Sequence, residues 1–187
     1  MHSAGQSLSS AIRACANEVA RHVNANNGNP MAAKEEIIAA IAALLKRPDL
    51  LEAGLNRPAV NADSSKILYY DPGLMFVMGY SKGEGRYDPP HNHGNWIATA
   101  VYRGEVEYKD YKRIDDLSRS GYAELEMTAQ GVLKAGDVAL TPGPPHDIHS
   151  NTMLTENYTM VVIGGGFASK RLYYNPEERS YVERVTS

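Results

Sequence analysis

The chain has 187 residues, which is enough for one domain with a sizeable hydrophobic core. Its formal net charge of −3 includes no basic excess, so we expect no binding to nucleic acid. Cys15 is the single cysteine, which excludes a disulfide within the chain, and no apolar run approaches the ~20 residues of a membrane-spanning helix. We therefore expect a cytoplasmic protein without a membrane partner.

Helical periodicity dominates residues 1–60. Apolar residues recur at steps of three and four between residues 8 and 23, and again between residues 37 and 45. Asn29 followed by Pro30 is typical of the start of a helix, with Asn29 as the N-cap. The pattern predicts two amphipathic helices, which we expect to pack against the outside of whatever follows them.

Residues 61–187 have the pattern of a β-domain. Two short apolar runs around Asp71-Pro72-Gly73 predict a hairpin, and a second strand pair is predicted to turn near Arg103-Gly104. Further short runs, each bounded by Gly, Pro, Asn or Asp, bring the total to eight or so strands without intervening helices. This organisation predicts a mainly β sandwich, jelly roll or closed barrel.

Four of the six histidines fall in two short segments. His91 and His93 are two residues apart, so on an extended strand both side chains would point to the same face. If that face is the interior of a barrel, the two imidazoles could share a metal ion. Such a pair can also be two ordinary strand residues with satisfied hydrogen bonds. The second segment supplies His146 and His149 as candidates for a third ligand, which favours the metal site.

Two sequence segments resemble the two conserved motifs of the cupin superfamily, and in particular its cysteine dioxygenase-like branch of thiol dioxygenases. The first segment contains Pro90-His91-Asn92-His93 and ends at the turn glycine Gly104; the second contains Gly136-Asp137, Pro142 and the histidine before Asn151. The resemblance spans residues 64–174. It implies a double-stranded β-helix, a jelly-roll barrel with the N-terminal helices packed outside, that holds one metal ion.

The resemblance also implies a function. It predicts a non-haem iron dioxygenase that binds a small organic substrate and O₂ at a centre of three histidines, His91, His93 and His149, as a monomer or homodimer. Fe(II) is the expected cofactor, with nickel, zinc and manganese as alternatives. The third ligand could also be His146. We choose His149 because it follows Ile148, as in the family, and alternation turns His149 inward if Ile148 packs outward.

Several positions depart from the family pattern. A glutamate that many cupins use as a fourth ligand is replaced by Ile97 or Ala98, as in thiol dioxygenases. The arginine that holds the substrate carboxylate in those enzymes aligns with Ile67 or Leu68. Their Ser-His-Tyr set also has no counterpart, because the aligned residues are Thr159, Val161 and Ile163. Free cysteine is therefore not the expected substrate. The alternative is a non-redox cupin, either a metal-dependent isomerase or lyase or a small-molecule-binding module.

Two further residues are assigned catalytic roles. His146 is expected at the mouth of the pocket, where a histidine can orient substrate or carry a proton. Tyr102 is the candidate catalytic tyrosine, although its position on the strand is out of phase with the metal ligands. His2, near the N-terminus, and His22, on the first predicted helix, are not expected to take part.

Overall fold

The structure is a computed structural model that describes residues 7–59, 62–166 and 168–185. Two α-helices come first, α1 (Leu8–Ala25) and α2 (Lys34–Leu45), with short 3₁₀ helices at Pro30–Ala33 and Leu50–Glu52. Asn29 caps the first 3₁₀ helix as predicted, its side-chain oxygen accepting a hydrogen bond from the Met31 amide at 3.0 Å. None of the described helices combines the length and apolar character needed to cross a bilayer.

Twelve strands make up the rest of the described chain. In chain order they are β1 (Leu55–Arg57), β2 (Ser64–Asp71), β3 (Leu74–Ser81), β4 (Arg86–His91), β5 (Ile97–Arg103), β6 (Glu105–Arg113), β7 (Leu125–Lys134), β8 (Val138–Thr141), β9 (Ile148–Met153), β10 (Asn157–Gly164), β11 (Lys170–Asn175) and β12 (Ser180–Val185). They form two six-stranded sheets with the orders β1-β2-β3-β10-β5-β8 and β12-β11-β4-β9-β6-β7. Every pairing between these strands is antiparallel. The predicted jelly-roll barrel is confirmed.

The helices cover the outer face of the first sheet. Side chains of α1 and α2 share one apolar cluster with residues of β3, β5, β8 and β10; Val19, Ile37 and Ile41 on the helices and Phe76 on β3 are completely buried in it. Full burial of one such side chain contributes roughly 1.5–3 kcal/mol. The helices therefore lie outside the barrel, as the sequence predicts, and the barrel interior stays available for a site.

Two strand predictions need correction. The strands on either side of Arg103-Gly104 exist, but β5 and β6 lie in different sheets, so the chain crosses from one sheet to the other at this turn. Gly104 has φ +87°, and a Cβ there would lie 2.3 Å from the Glu156 carbonyl oxygen, so this tight crossing requires glycine. Residues 1–60, predicted as helical, also contain the strand β1, which pairs with β2.

Candidate metal centre

The backbone of the second sheet brings three histidines together. His91 is the last residue of β4 and His149 the second residue of β9, and the two are direct partners in the antiparallel register. Partners in a register share one face of the sheet, which here is the barrel interior. His93 lies in the loop after β4 and still turns its side chain inward. We call these three residues the histidine triad.

The geometry of the histidine triad fits one metal ion. The ring centroids lie 4.8, 4.9 and 5.0 Å apart, and one candidate ligand atom from each residue lies within 4.8 Å of the others. The Nε2 atoms of His93 and His149 are 3.2 Å apart. Two imidazole nitrogens at ~2.1 Å from a shared ion, at tetrahedral or octahedral angles, would be about 3.0–3.4 Å apart. The observed distance falls within that range.

The surroundings of His91 select one tautomer. Its Nδ1 lies 2.8 Å from the carbonyl oxygen of Pro89, and because a carbonyl can only accept, Nδ1 must carry the proton that is donated. The lone pair is then on Nε2, the nitrogen left for a metal. The ring of Tyr173 stacks on that of His91 at 5.4 Å and restricts its orientation. A hydrogen bond of this kind commonly orients metal-bound histidines.

Burial keeps the histidine triad neutral. The three side chains are 1%, 4% and 2% exposed. Burial lowers the pKa of His91 below its usual value, and it lowers the pKa values of His93 and His149 well below theirs, with the nearby His91 adding to both shifts. Neutral imidazole is the form that binds metal, so the donor set is ready for a divalent cation at neutral pH.

Asp147 fixes the loop that carries His93. Its Oδ2 accepts hydrogen bonds from the backbone amides of His93 at 3.2 Å and Gly94 at 2.8 Å, and the side chain is buried. Burial raises the pKa of Asp147, while these amide donors oppose the increase. The segment from β8 to β9 therefore positions two of the three histidines, His149 through the strand and His93 through Asp147.

A cavity of about 260 Å³ lies next to the histidine triad, between the two sheets. This volume is far larger than one water needs, so it suits a small organic molecule. Val77, Val161 and Met153 supply apolar wall. Asn151 Oδ1 and Thr99 Oγ1 also face the cavity region, and both are buried atoms without a hydrogen-bond partner among the described residues.

The two residues predicted to be catalytic lie elsewhere. His146 is exposed, in the turn before β9, and is not among the described residues that line the cavity. The hydroxyl of Tyr102 donates to the carbonyl oxygens of Arg47 and Pro48, each at 3.0 Å, on the helix side of the first sheet. Tyr102 therefore faces away from the barrel interior, because its strand phase is opposite to that of Thr99 and Val101. His22 lies on α1 next to Glu18, and His2 lies outside the described residues.

Sequence reasoning missed two cavity residues, Arg57 on β1 and Arg171 on β11. The position of the carboxylate-binding arginine in thiol dioxygenases aligns with Ile67 or Leu68, which carry no charge. The one available signal was the alternation on β11, where Arg171 lies two residues before Tyr173, the register partner of His91. Sequence alone does not show that this face of β11 is the inner one.

No protein-family model matches this sequence, and no curated protein is significantly similar to it. Solved structures do match the fold. They include the DMSP lyase DddQ from Ruegeria pomeroyi (16% identity, TM-score 0.48, covering 73% of this chain and 77% of that chain) and KdgF from a Halomonas species (18%, 0.46, 60% and 86%). An RmlC-like cupin from Shewanella frigidimarina also matches (18%, 0.46, 62% and 86%). At these identities and TM-scores the likeness assigns no activity to this chain.

Proposed function

We propose that His91, His93 and His149 bind one divalent metal ion and that this centre acts on a small molecule in the adjoining cavity. The distance of 3.2 Å between the Nε2 atoms of His93 and His149 carries the proposal, because two buried neutral imidazoles at that separation suit one ion. Imidazole nitrogen suits iron, zinc, copper and nickel. Fe(II) is the metal that the resemblance to thiol dioxygenases favours.

The reaction that we propose is dioxygenation of a small organic substrate. A bound Fe(II) would supply open positions at which substrate and O₂ bind next to each other. The chain itself performs three tasks. Pro89 and Tyr173 hold the ring of His91, Asp147 holds the loop of His93, and the walls of the cavity exclude bulk water from the reacting groups. All three tasks would also serve a non-redox reaction.

The second candidate is therefore a non-redox enzyme of the same fold, an isomerase or lyase that uses the metal as a Lewis acid. The donor set favours it as much as the first, because three neutral imidazoles without a carboxylate suit zinc and nickel as well as iron. The identity of the bound metal and the requirement of the reaction for O₂ distinguish the two candidate functions.

The test is to purify the protein without oxygen, determine its metal content, and measure O₂ uptake with 3-mercaptopropionate, cysteine, cysteamine and 1,3-diketones. Dioxygenation requires Fe(II)-dependent O₂ uptake with at least one substrate and its loss in His149→Ala. Conversion of a substrate without O₂ would favour the non-redox enzyme. The control is His22→Ala, which removes a histidine on α1 and should behave as wild type. A protein that binds no metal under these conditions contradicts both candidates.

A further inference from the structure

Two polar residues in the wall of the cavity have buried atoms without a hydrogen-bond partner. Thr99 lies on β5 of the first sheet and Asn151 on β9 of the second, and the two residues are 1% and 8% exposed. Thr99 Oγ1 and Asn151 Oδ1 are both buried and have no partner among the described residues. Burying a polar atom without a partner costs free energy, so most buried polar atoms in proteins are hydrogen-bonded. Packing alone does not explain two such atoms on one cavity.

An apolar side chain would suit the position of Thr99 better in a ligand-free protein. The register partner of Thr99 on β10 is Val161, and Val77 of β3 also belongs to the cavity wall. Thr99→Val would keep the shape of the side chain and remove the unpaired oxygen. The hydroxyl of Thr99 therefore does not stabilise the fold of the ligand-free protein.

The same two residue types occur elsewhere in the cavity wall with their hydrogen bonds made. Thr159 Oγ1 donates to Asn157 Oδ1 at 3.1 Å, and Asn157 Nδ2 donates to the Thr155 carbonyl oxygen at 3.0 Å. The chain thus supplies the partners of one threonine and one asparagine in the cavity. A molecule bound in the cavity would supply the partners that Thr99 and Asn151 lack.

The unpaired atoms lie close to the histidine triad. Asn151 is two residues after His149 and on the same inner face of β9, a separation of roughly 6–7 Å along the strand. A ligand that is only a few bonds long therefore reaches from the histidine triad to Asn151. A hydroxyl group suits both unpaired side chains, because it donates one hydrogen bond and also accepts hydrogen bonds.

We infer that the cavity selects small hydroxylated molecules, and that Thr99 and Asn151 bind the hydroxyl group of the ligand. The inference rests on the proposed function in that the other end of the ligand faces the metal. A site that forms hydrogen bonds to a hydroxyl discriminates against an analogue that lacks it, because the analogue leaves the buried polar atoms of the site unpaired. Thr99 and Asn151 are specificity-determining residues on this account.

A matched pair of ligands tests the selection. 4-(Hydroxymethyl)imidazole and 4-ethylimidazole have the same number of non-hydrogen atoms, and each binds metal through a ring nitrogen. Their dissociation constants should be measured by calorimetry on zinc-loaded protein, because zinc has no redox chemistry. We expect the hydroxymethyl compound to bind more tightly by about tenfold or more, although the ethyl group is the more hydrophobic. Equal affinities, or tighter binding of 4-ethylimidazole, would overturn the inference.

Thr99→Val and Asn151→Leu test the two residues separately, one on each sheet. Each should reduce the preference for the hydroxymethyl compound by about tenfold, because each removes one hydrogen bond to the ligand. Thr99→Val should also raise the urea midpoint of the metal-free protein, since it removes an unpaired buried oxygen. A lower midpoint in Thr99→Val would show that its hydroxyl already has a partner and would overturn the inference. An unchanged preference in both variants would overturn it as well.

The control is Thr141→Val on β8. Thr141 is as buried as Thr99, but its hydroxyl lies 2.7 Å from that of Tyr108, and it is not among the described residues that line the cavity. This variant should lower the urea midpoint and keep the wild-type preference between the two imidazoles. The sign of the midpoint shift therefore distinguishes an unpaired hydroxyl from a paired one at similar burial.

The two proposals fail in different ways. The metal content of each variant is measured separately, and all three variants should retain the wild-type content, since none of the residues is a candidate ligand. NMR titration of the metal-free wild type and Thr99→Val with the two imidazoles measures the preference without metal. If the wild type binds no metal but prefers the hydroxymethyl compound, and Thr99→Val loses that preference, the proposed function fails and the inference stands. If metal binds and the wild type shows no preference, the inference alone fails.

Discussion

Replacing Asp147 by alanine should damage the metal centre without touching a ligand. The Oδ2 of Asp147 accepts hydrogen bonds from the amides of His93 and Gly94. A hydrogen bond to a charged group contributes ~1.5–3 kcal/mol. Removing the carboxylate leaves both backbone amides without their hydrogen-bond acceptor. Because burial already raises the pKa of Asp147, the carboxylate bears a desolvation cost, and we expect a net loss near the lower end of the sum, about 3 kcal/mol.

The loss should appear in two measurements. Urea unfolding followed by circular dichroism gives the free energy of unfolding of the metal-free protein, and competition with a chelator gives the metal affinity. Releasing the His93 loop should weaken metal binding by about 10- to 100-fold, as expected for a group that orients a ligand. Asp147→Asn should reduce the free energy of unfolding and the metal affinity less than Asp147→Ala does, because its amide oxygen can still accept hydrogen bonds from the two backbone amides.

The matched control for this prediction is Asp137→Ala. Asp137 also accepts a hydrogen bond from a backbone amide, that of Lys134 at 2.8 Å, but in an exposed turn between β7 and β8. Its loss should cost less than about 1 kcal/mol and leave the metal affinity unchanged. If Asp147→Ala matches this control in stability and in metal affinity, Asp147 does not position His93.

Three further predictions concern pH and the two residues outside the cavity. The three buried histidines have pKa values below the ordinary 6.5, so below that pH the unfolded chain binds protons that the folded chain does not. The free energy of unfolding of the metal-free protein should therefore be highest above pH 6.5. Below that pH it should fall by up to about 1.4 kcal/mol per pH unit for each histidine. A free energy of unfolding that stays constant in urea between pH 7.5 and pH 5 would refute the burial of the three histidines as neutral groups. Tyr102→Phe should lower the free energy of unfolding by about 1 kcal/mol through the lost hydrogen bonds to Arg47 and Pro48, with unchanged metal content and turnover. A large loss of turnover would instead support the catalytic role predicted from the sequence. His146→Ala should keep full metal by elemental analysis, and loss of metal would exchange its role with that of His149.

Local patterns in the sequence predict much of the fold. The apolar periodicity of α1 and α2 and the Asp71-Pro72-Gly73 turn depend on neighbours in the chain, and the structure contains both helices and that hairpin. The inward direction of His149 followed from alternation with Ile148, which packs in a separate apolar cluster away from the cavity. Each of these inferences needed only the residues next to the one concerned.

Features that depend on pairing between distant strands could not be predicted. Arg57 and Arg171 are 114 positions apart and line one cavity although β1 and β11 belong to different sheets. The crossing between sheets at Gly104 likewise depends on contacts with Glu156 and Asn157 on the far side of the turn. The strand phase of Tyr102, opposite to that of the metal ligands, agrees with the position of its hydroxyl on the helix side of the first sheet.

The metal stoichiometry of the wild-type protein and its histidine variants tests the account most directly. The measurement is elemental analysis after loading with Fe(II) without oxygen, with circular dichroism to confirm that each variant is folded. We predict one ion per wild-type chain, one in His22→Ala, and none at stoichiometric level in His91→Ala, His93→Ala or His149→Ala. Full metal content in any of those three folded variants would contradict the proposed centre.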